Sequence, residues 1–129
     1  MEFTTSHLIR YQDLNSHDTL FGGQLLAWVD EEAAAWVMYK TGKKSIVTKL
    51  ISEVNFQKPA RKGDLIEIGI DLIDVGETSY TVCCEVRNKT DHTVICSIDK
   101  IVFVHVDPST HKRSYHHQTF DELKQKIVE

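Results

Sequence analysis

The chain is short of the residues that interrupt or staple a fold. Two prolines, Pro59 and Pro108, and six glycines are spread over 129 residues, so long elements can run unbroken. Its three cysteines, Cys83, Cys84 and Cys96, are an odd set without CxxC spacing. They lie in strand-like sequence and read as buried thiols in a reducing compartment. No segment approaches the roughly 20 apolar residues of a membrane span, and Met1 to Thr5 has neither the basic start nor the apolar run of a secretory leader. Basic residues are the minority, 15 against 19 acids for a net charge of −4, with a pI near 5.9; this argues against nucleic acid as the main partner. The expectation is a cytoplasmic protein without a membrane or nucleic-acid partner. Catalytic templates are missing too. There is no Gly-x-Ser-x-Gly elbow, Walker-type loop or dinucleotide fingerprint, and the seven histidines include no helical His-x-x-x-His pair, so no metal is expected. Repeats, linkers and low-complexity tracts are absent, and the length suits one domain over 1–129.

What is present is organised around Asn15 to Lys40. From Gln24 onward the residues are helix formers or apolar and nothing breaks the run until Gly42, which predicts one helix of roughly five turns. Its apolar residues, Leu25, Leu26, Ala27, Trp28, Val29, Ala33 to Val37 and Met38, point all around the axis, the pattern of a helix enclosed by protein. Three acids, Asp30, Glu31 and Glu32, interrupt it about 100° apart. Each has apolar neighbours one turn away, so one of them is either the cover of a solvent window or a partly desolvated carboxylate kept for proton transfer. Periodicity does not choose among the three.

The remainder reads as strands. Thr4 to Tyr11 alternates with Phe3, Ile9 and Tyr11 in phase, and Gln12 to Leu20 is a polar loop leading to Gly22 and Gly23 at the helix entrance. Ser45 to Phe56 places Ile46, Thr48, Leu50, Ser52, Val54 and Phe56 on one face, turning Thr48 and Ser52 toward the helix. A basic turn, Lys58 to Asp64, precedes a strand from Leu65 to Val75 with Ile66, Ile68, Ile70 and Leu72 inward. After a reversal at Gly76, Ser79 to Arg87 puts Tyr80, Val82, Cys84 and Val86 on one side. Thr93 to Val106 slips phase near Asp99, which implies a bulge. Beyond Pro108 a polar tail ends in a short helix opened by a Thr119 to Glu122 capping box. One helix and about five strands, four joined as a meander, give an α+β fold whose open edge calls for a second copy.

Two stretches carry a family resemblance: Asn15-x-x-x-Thr19-Leu20-Phe21-Gly22-Gly23-x-Leu25-Leu26-x-Trp28-x-Asp30, and Val54-Asn55-Phe56-x-Lys58-Pro59-x-x-x-Gly63-Asp64. Together they resemble the acyl-CoA hydrolase branch of the hotdog-fold thioesterases over about residues 5–107. The resemblance implies an antiparallel sheet of five to six strands wrapped around one long central helix. It also implies a dimer with a continuous sheet and often a hexamer of three dimers. Hydrolysis of fatty or other acyl-CoA is implied as the activity, with coenzyme A entering only as part of substrate and product and no further cofactor.

Carried over residue by residue, the resemblance makes Asp30 the catalytic carboxylate, as general base or nucleophile, and brings Asn15 to it from the other subunit. Gly23, with Gly22 beside it, can offer a backbone N–H at the helix start to the oxygen that becomes negative. Thr48 matches a strand position near the family active site, and is otherwise a core threonine. Lys58, Arg61 and Lys62 cluster where phosphates of coenzyme A would be held, or simply form a solvated turn. The family usually has Gly where this chain has Asp18; Asp can take the left-handed backbone that turn needs. His17 beside it is an auxiliary base or an exposed loop residue. The alternatives to an enzyme are an acyl-CoA-binding or ligand-sensing module and a structural dimer.

Overall fold

The computed structural model describes residues 1–128. The chain runs β1 (Glu2–Leu8), a 3-10 turn (Tyr11–Asp13), α1 (Gly22–Thr41), β2 (Ile46–Ile51), β3 (Val54–Phe56), β4 (Leu65–Val75), β5 (Ser79–Asn88), β6 (Val94–His105) and α2 (Phe120–Val128). All six strands form one antiparallel sheet in the order β1-β4-β5-β6-β2, with β3 also paired to β6. The sheet wraps α1, the layout the resemblance implies.

Alternation decides the centre of the sheet. Ile66, Ile68, Ile70 and Leu72 of β4 and Tyr80, Val82, Cys84 and Val86 of β5 are all buried against the helix. In β6 the phase slip is a bulge: Val82 faces Ile101 and Cys84 faces Ile98, so Asp99 and Lys100 share one step of the ladder and Ile98 and Ile101 both point inward. Only β4, β5 and β6 are joined as consecutive hairpins; β1 and β2 reach opposite edges because the helix lies between them in the chain.

Three other expectations change. The first strand starts at Glu2 and stops at Leu8, leaving Tyr11 exposed in the 3-10 turn. Ser45 to Phe56 is two strands: the pairing with β6 shifts between Thr48 and Leu50, so the inward phase passes to Ile51 while Leu50 and Phe56 are 47% and 58% exposed. Within one chain α1 buries only the stripe Leu25, Val29, Ala33, Trp36, Val37 and Thr41. Ala27, Glu31, Ala35 and Tyr39 face outward, so full enclosure is not achieved by a single copy. At its end Gly42 takes φ +75° and its N–H donates to Met38 O at 2.8 Å, the left-handed stop that glycine accommodates.

The tail is more than a polar extension of the core at 5–107. Thr119 Oγ1 accepts the Glu122 N–H at 3.3 Å to start α2, whose Leu123 is buried in the main core. Just before it, His116 stacks on the Tyr80 ring, is 1% exposed, and bonds Ser79 O at 3.1 Å. Its Nδ1 accepts the Gln118 N–H at 3.0 Å, so the ring fits as the neutral Nε2–H tautomer. Gln118 continues the clamp, its Nε2 donating to Thr41 O at 2.9 Å. Burial holds the His116 pKa below its ordinary value, assisted by His105 and Lys43 and opposed by the bond to Ser79.

A His held neutral in the fold gives stability that is present above its unfolded pKa and is lost as pH falls, because the unfolded chain takes up the proton first. Thermal unfolding midpoints should therefore be level above about pH 7 and decline below about 6.5. That decline should be shallower in His116→Phe, which keeps the stacking but cannot titrate. Equal slopes in the two proteins would remove His116 as the cause.

Candidate active site

The site is built where the chain enters α1. Asp13 is 3% exposed; its Oδ2 accepts the Arg10 N–H at 2.9 Å, and its carbonyl accepts the Phe21 N–H at 2.8 Å, fixing the loop between them. Within that loop the Asn15 side chain is the organiser. Its Oδ1 accepts N–H bonds from His17 at 2.9 Å and Thr19 at 3.2 Å, and its Nδ2 donates to Thr19 Oγ1 at 3.1 Å. Asp18 stands at φ +59°, so it takes the left-handed conformation that glycine would adopt at less cost. Asp18 and His17 are both exposed at the loop tip.

A second loop is laced to the first. Thr19 bridges to Arg61, Leu20 N–H donates to Ala60 O at 2.8 Å, and Gly63 N–H donates to Ile9 O at 2.9 Å. Gly63 has φ +89°, as the turn from Arg61 to Asp64 requires. This brings the basic turn beside Asn15. Between them opens a cavity of about 420 Å³ lined by Asn15, Thr19, Gly22, Phe56, Lys58 and Pro59, among others. Lys58, Arg61 and Lys62 are exposed, and no ion pair holds them among the described residues. Only Lys58 of the three lines the cavity.

Gly22 and Gly23 are the first two residues of α1, after Phe21 as N-cap, and helix geometry leaves their N–H groups without partners from the helix itself. A Cβ on Gly23 would meet the Phe21 ring at 2.6 Å, so the bare backbone at this position also seats that ring.

The three acids of the helix separate cleanly. Glu31 is exposed. Glu32 is paired to His7, Oε1 to Nε2 at 3.3 Å, and His7 stacks on Trp28 with ring centroids 4.5 Å apart. Asp30 is half-buried and its Oδ1 accepts the Thr48 hydroxyl at 2.7 Å. Thr48 thus faces the helix as alternation requires; Ser52 instead accepts the Lys100 N–H at 3.0 Å. The hydroxyl occupies one carboxylate oxygen and leaves Oδ2 available to a water or a substrate.

The sequence-selected residues therefore form two groups. Asn15, Gly22, Gly23 and Lys58 lie around the helix start, Asp30 and Thr48 around its middle. Gly23 and Asp30 are seven residues apart in one helix, which is two turns, on nearly the same face and about 10 Å along the axis. A reacting carbonyl needs both groups within about 3 Å, so one chain alone does not bring them to one atom. Burial pushes the Cys84 thiol up to about 12 and the Cys96 thiol to about 11, so neither supplies a thiolate nucleophile at neutral pH.

Sequence reasoning missed Asp13 and Phe56. The Arg10 to Asp13 spacing was the available signal for the first; for Phe56 the strand bulge hides it, since simple alternation sends that ring to the core.

The family model of the thioesterase superfamily matches residues 17–95. A Caenorhabditis elegans protein whose name proposes an esterase, F42H10.6, is 32% identical over 84 residues, 65% of this chain and 49% of that one. The chain thus spans about half the length of the curated relative it matches. Among solved structures, the acyl-CoA hydrolase of Staphylococcus aureus in complex with butyryl coenzyme A and coenzyme A superposes with a TM-score of 0.75 at 26% identity, covering 96% of this chain and 80% of that one. An apo hexameric acyl-CoA thioesterase gives 0.76 at 30% identity, over 96% and 82%. The hexameric thioesterase y2039 of Yersinia pestis gives 0.78 at 24% identity, over 88% and 94%, and shares the fold.

Proposed function

This chain belongs to the thioesterase superfamily, and from that premise we propose that it hydrolyses acyl-CoA to the free acid and coenzyme A, in sites assembled between two copies. The observation that carries the reading is the Asp30 carboxylate, half-buried in the middle of α1 and oriented by the Thr48 hydroxyl at 2.7 Å. One further parallel supports it. The S. aureus enzyme has been solved with alanine in place of an aspartate, an asparagine and a threonine in turn. These are the residue types of Asp30, Asn15 and Thr48. The asparagine and aspartate are separated by 15 residues in both chains, and the aspartate–threonine spacing differs by one.

In this mechanism Gly23 and Asn15 of one copy receive the thioester, and Asp30 with Thr48 of the second copy act on it. The Gly23 N–H, backed by the positive end of the helix dipole, donates to the carbonyl oxygen as it gains charge. Asn15 orients the thioester or the attacking water. Asp30 either removes a proton from that water, whose oxygen bonds the carbonyl carbon as the C–S bond breaks, or attacks the carbon itself to give a mixed anhydride that water then cleaves to the free acid. In both routes coenzyme A leaves as the thiolate and takes up a proton. Lys58, with Arg61 and Lys62 on the rim, offers cations to its phosphates.

The same reading uses a second copy to cover the outward residues of α1 and the edge strand β2, where Val47 and Leu50 are 48% and 47% exposed. Three such dimers in a hexamer would follow the assembly of the relatives described as hexameric. Three free cysteines fit a cytoplasmic setting, and no described helix is long and apolar enough to cross a membrane.

The test is steady-state release of free thiol from a panel of acyl-CoA substrates. Turnover that depends on Asp30 is the expected result. Saturable coenzyme A binding without thiol release would instead make the protein a binding module.

A further inference from the structure

A second cavity lies beside Gly23, and its chemistry differs from the first. It encloses about 180 Å³ and is lined by Leu25, Leu26, Val29, Val54, Cys96 and Ile98, with Gly22, Gly23 and Phe56 at one end. Its wall is apolar apart from the glycine backbone and one thiol that burial keeps protonated. Gly22, Leu25 and Phe56 line both cavities, so the two spaces meet at the Phe56 ring.

The ladder gives the slot a direction. Phe56 stands opposite Cys96 and Val54 opposite Ile98, two rungs about 7 Å apart along the strands. The Phe56 ring tip lies 3.4 Å from where a Cβ of Gly22 would be, which puts the first rung at the helix start. Along the helix the lining passes from Gly22 through Leu25 and Leu26 to Val29, two turns further in. The mouth is therefore at Gly22 and Phe56, and the Val54, Ile98 and Val29 side chains form the inner end.

We propose that this slot takes the acyl chain of the substrate and limits it to about six carbons, with Phe56 as the gate between the coenzyme side and the acyl side and Val54 as the residue that sets the depth. The proposal rests on the thioesterase reading given above. A carbonyl held at the helix start, where Gly22 lines both cavities, has the polar cavity with Lys58 on one side and the apolar slot on the other, which matches the two substituents of an acyl thioester. The length limit follows from volume: an apolar cavity of about 150 Å³ holds the six carbons of benzene, and this slot has about 180 Å³. Longer chains would have to displace Val54 or Ile98, and Ile98 is 1% exposed within the core.

The experiment is kcat/KM for saturated acyl-CoA substrates from two to sixteen carbons, on wild type, Val54→Phe and Val54→Ala. Val54 is half-buried, and circular dichroism of each variant checks that the fold is kept. The wild-type profile should climb to about six carbons and fall beyond; Val54→Phe should move the maximum about two carbons shorter, and Val54→Ala should move it longer. A flat profile, or variants that scale every chain length by one factor, overturns the slot. If no acyl-CoA is hydrolysed at all, the thioesterase reading fails separately, and the slot is then judged with non-hydrolysable S-alkyl coenzyme A thioethers. Affinity rising about fourfold per methylene as far as hexyl, with an earlier stop in Val54→Phe, supports it. Affinity independent of alkyl length overturns it.

Discussion

Asp30→Ala is expected to lower steady-state thiol release from acyl-CoA by about 10³-fold or more, with the far-ultraviolet spectrum and thermal midpoint close to wild type. A positioned general base typically contributes about 10²–10⁴-fold, and a nucleophile is lost altogether. The fold should tolerate the change because, among the described residues, the side chain's one hydrogen bond is to the exposed Thr48, and alanine is the better helix former. Glu31→Ala gives the internal comparison: its carboxylate is exposed and unpaired among the described residues, so activity within about twofold of wild type is expected. A loss for Glu31→Ala as large as for Asp30→Ala would point to net charge on the helix rather than to one carboxylate.

Gly23→Pro should cost about 10²–10³-fold in kcat, the effect of removing one donor to a developing oxyanion. Proline is suited to the test because it deletes the N–H while its fixed φ belongs to the first helical turn, where that N–H serves no bond of the helix. The ring would displace Phe21, whose side chain is 55% exposed and free to move outward. A variant that stays folded, binds coenzyme A with near wild-type affinity and turns over slowly is the expected outcome. Unchanged kcat would mean that the thioester oxygen is held elsewhere.

The parts of the molecule that were legible in the sequence share one property: a two-residue period uninterrupted by special geometry. Thus β4 matches its alternation from Ile66 to Leu72, short of a register shift at Ile73, and β5 matches from Tyr80 to Val86; even the bulge at Asp99 and Lys100 shows as a phase slip because apolar residues flank it on both sides. The shift beyond Thr48 leaves no such trace, since Leu50 and Ile51 are equally apolar and either could face inward. Phe56 was misdirected for that reason. The helix was legible as a helix but not in its burial, because its alanines suit a core and a protein–protein contact alike. His116 was hidden by its polar neighbours; what buries it is the stacking partner Tyr80, thirty-six residues away. For the site, Asn15, Gly23 and Asp30 stand out through the resemblance, while periodicity left three acids equivalent. The pairings of Thr48 with Asp30 and of His7 with Glu32 distinguish them. The division of the site into two groups was legible as well: the resemblance brings Asn15 to Asp30 from the other subunit, and seven residues of helix separate Gly23 from Asp30.

That division is tested most directly by mixing two impaired variants, Asn15→Ala and Asp30→Ala, under conditions that exchange subunits, and measuring thiol release. A hybrid dimer then holds one site with both changes and one with neither, so random pairing should restore about a quarter of wild-type activity. Activity that stays at the sum of the two separate variants, with hybrids shown to have formed, would contradict a site shared between copies.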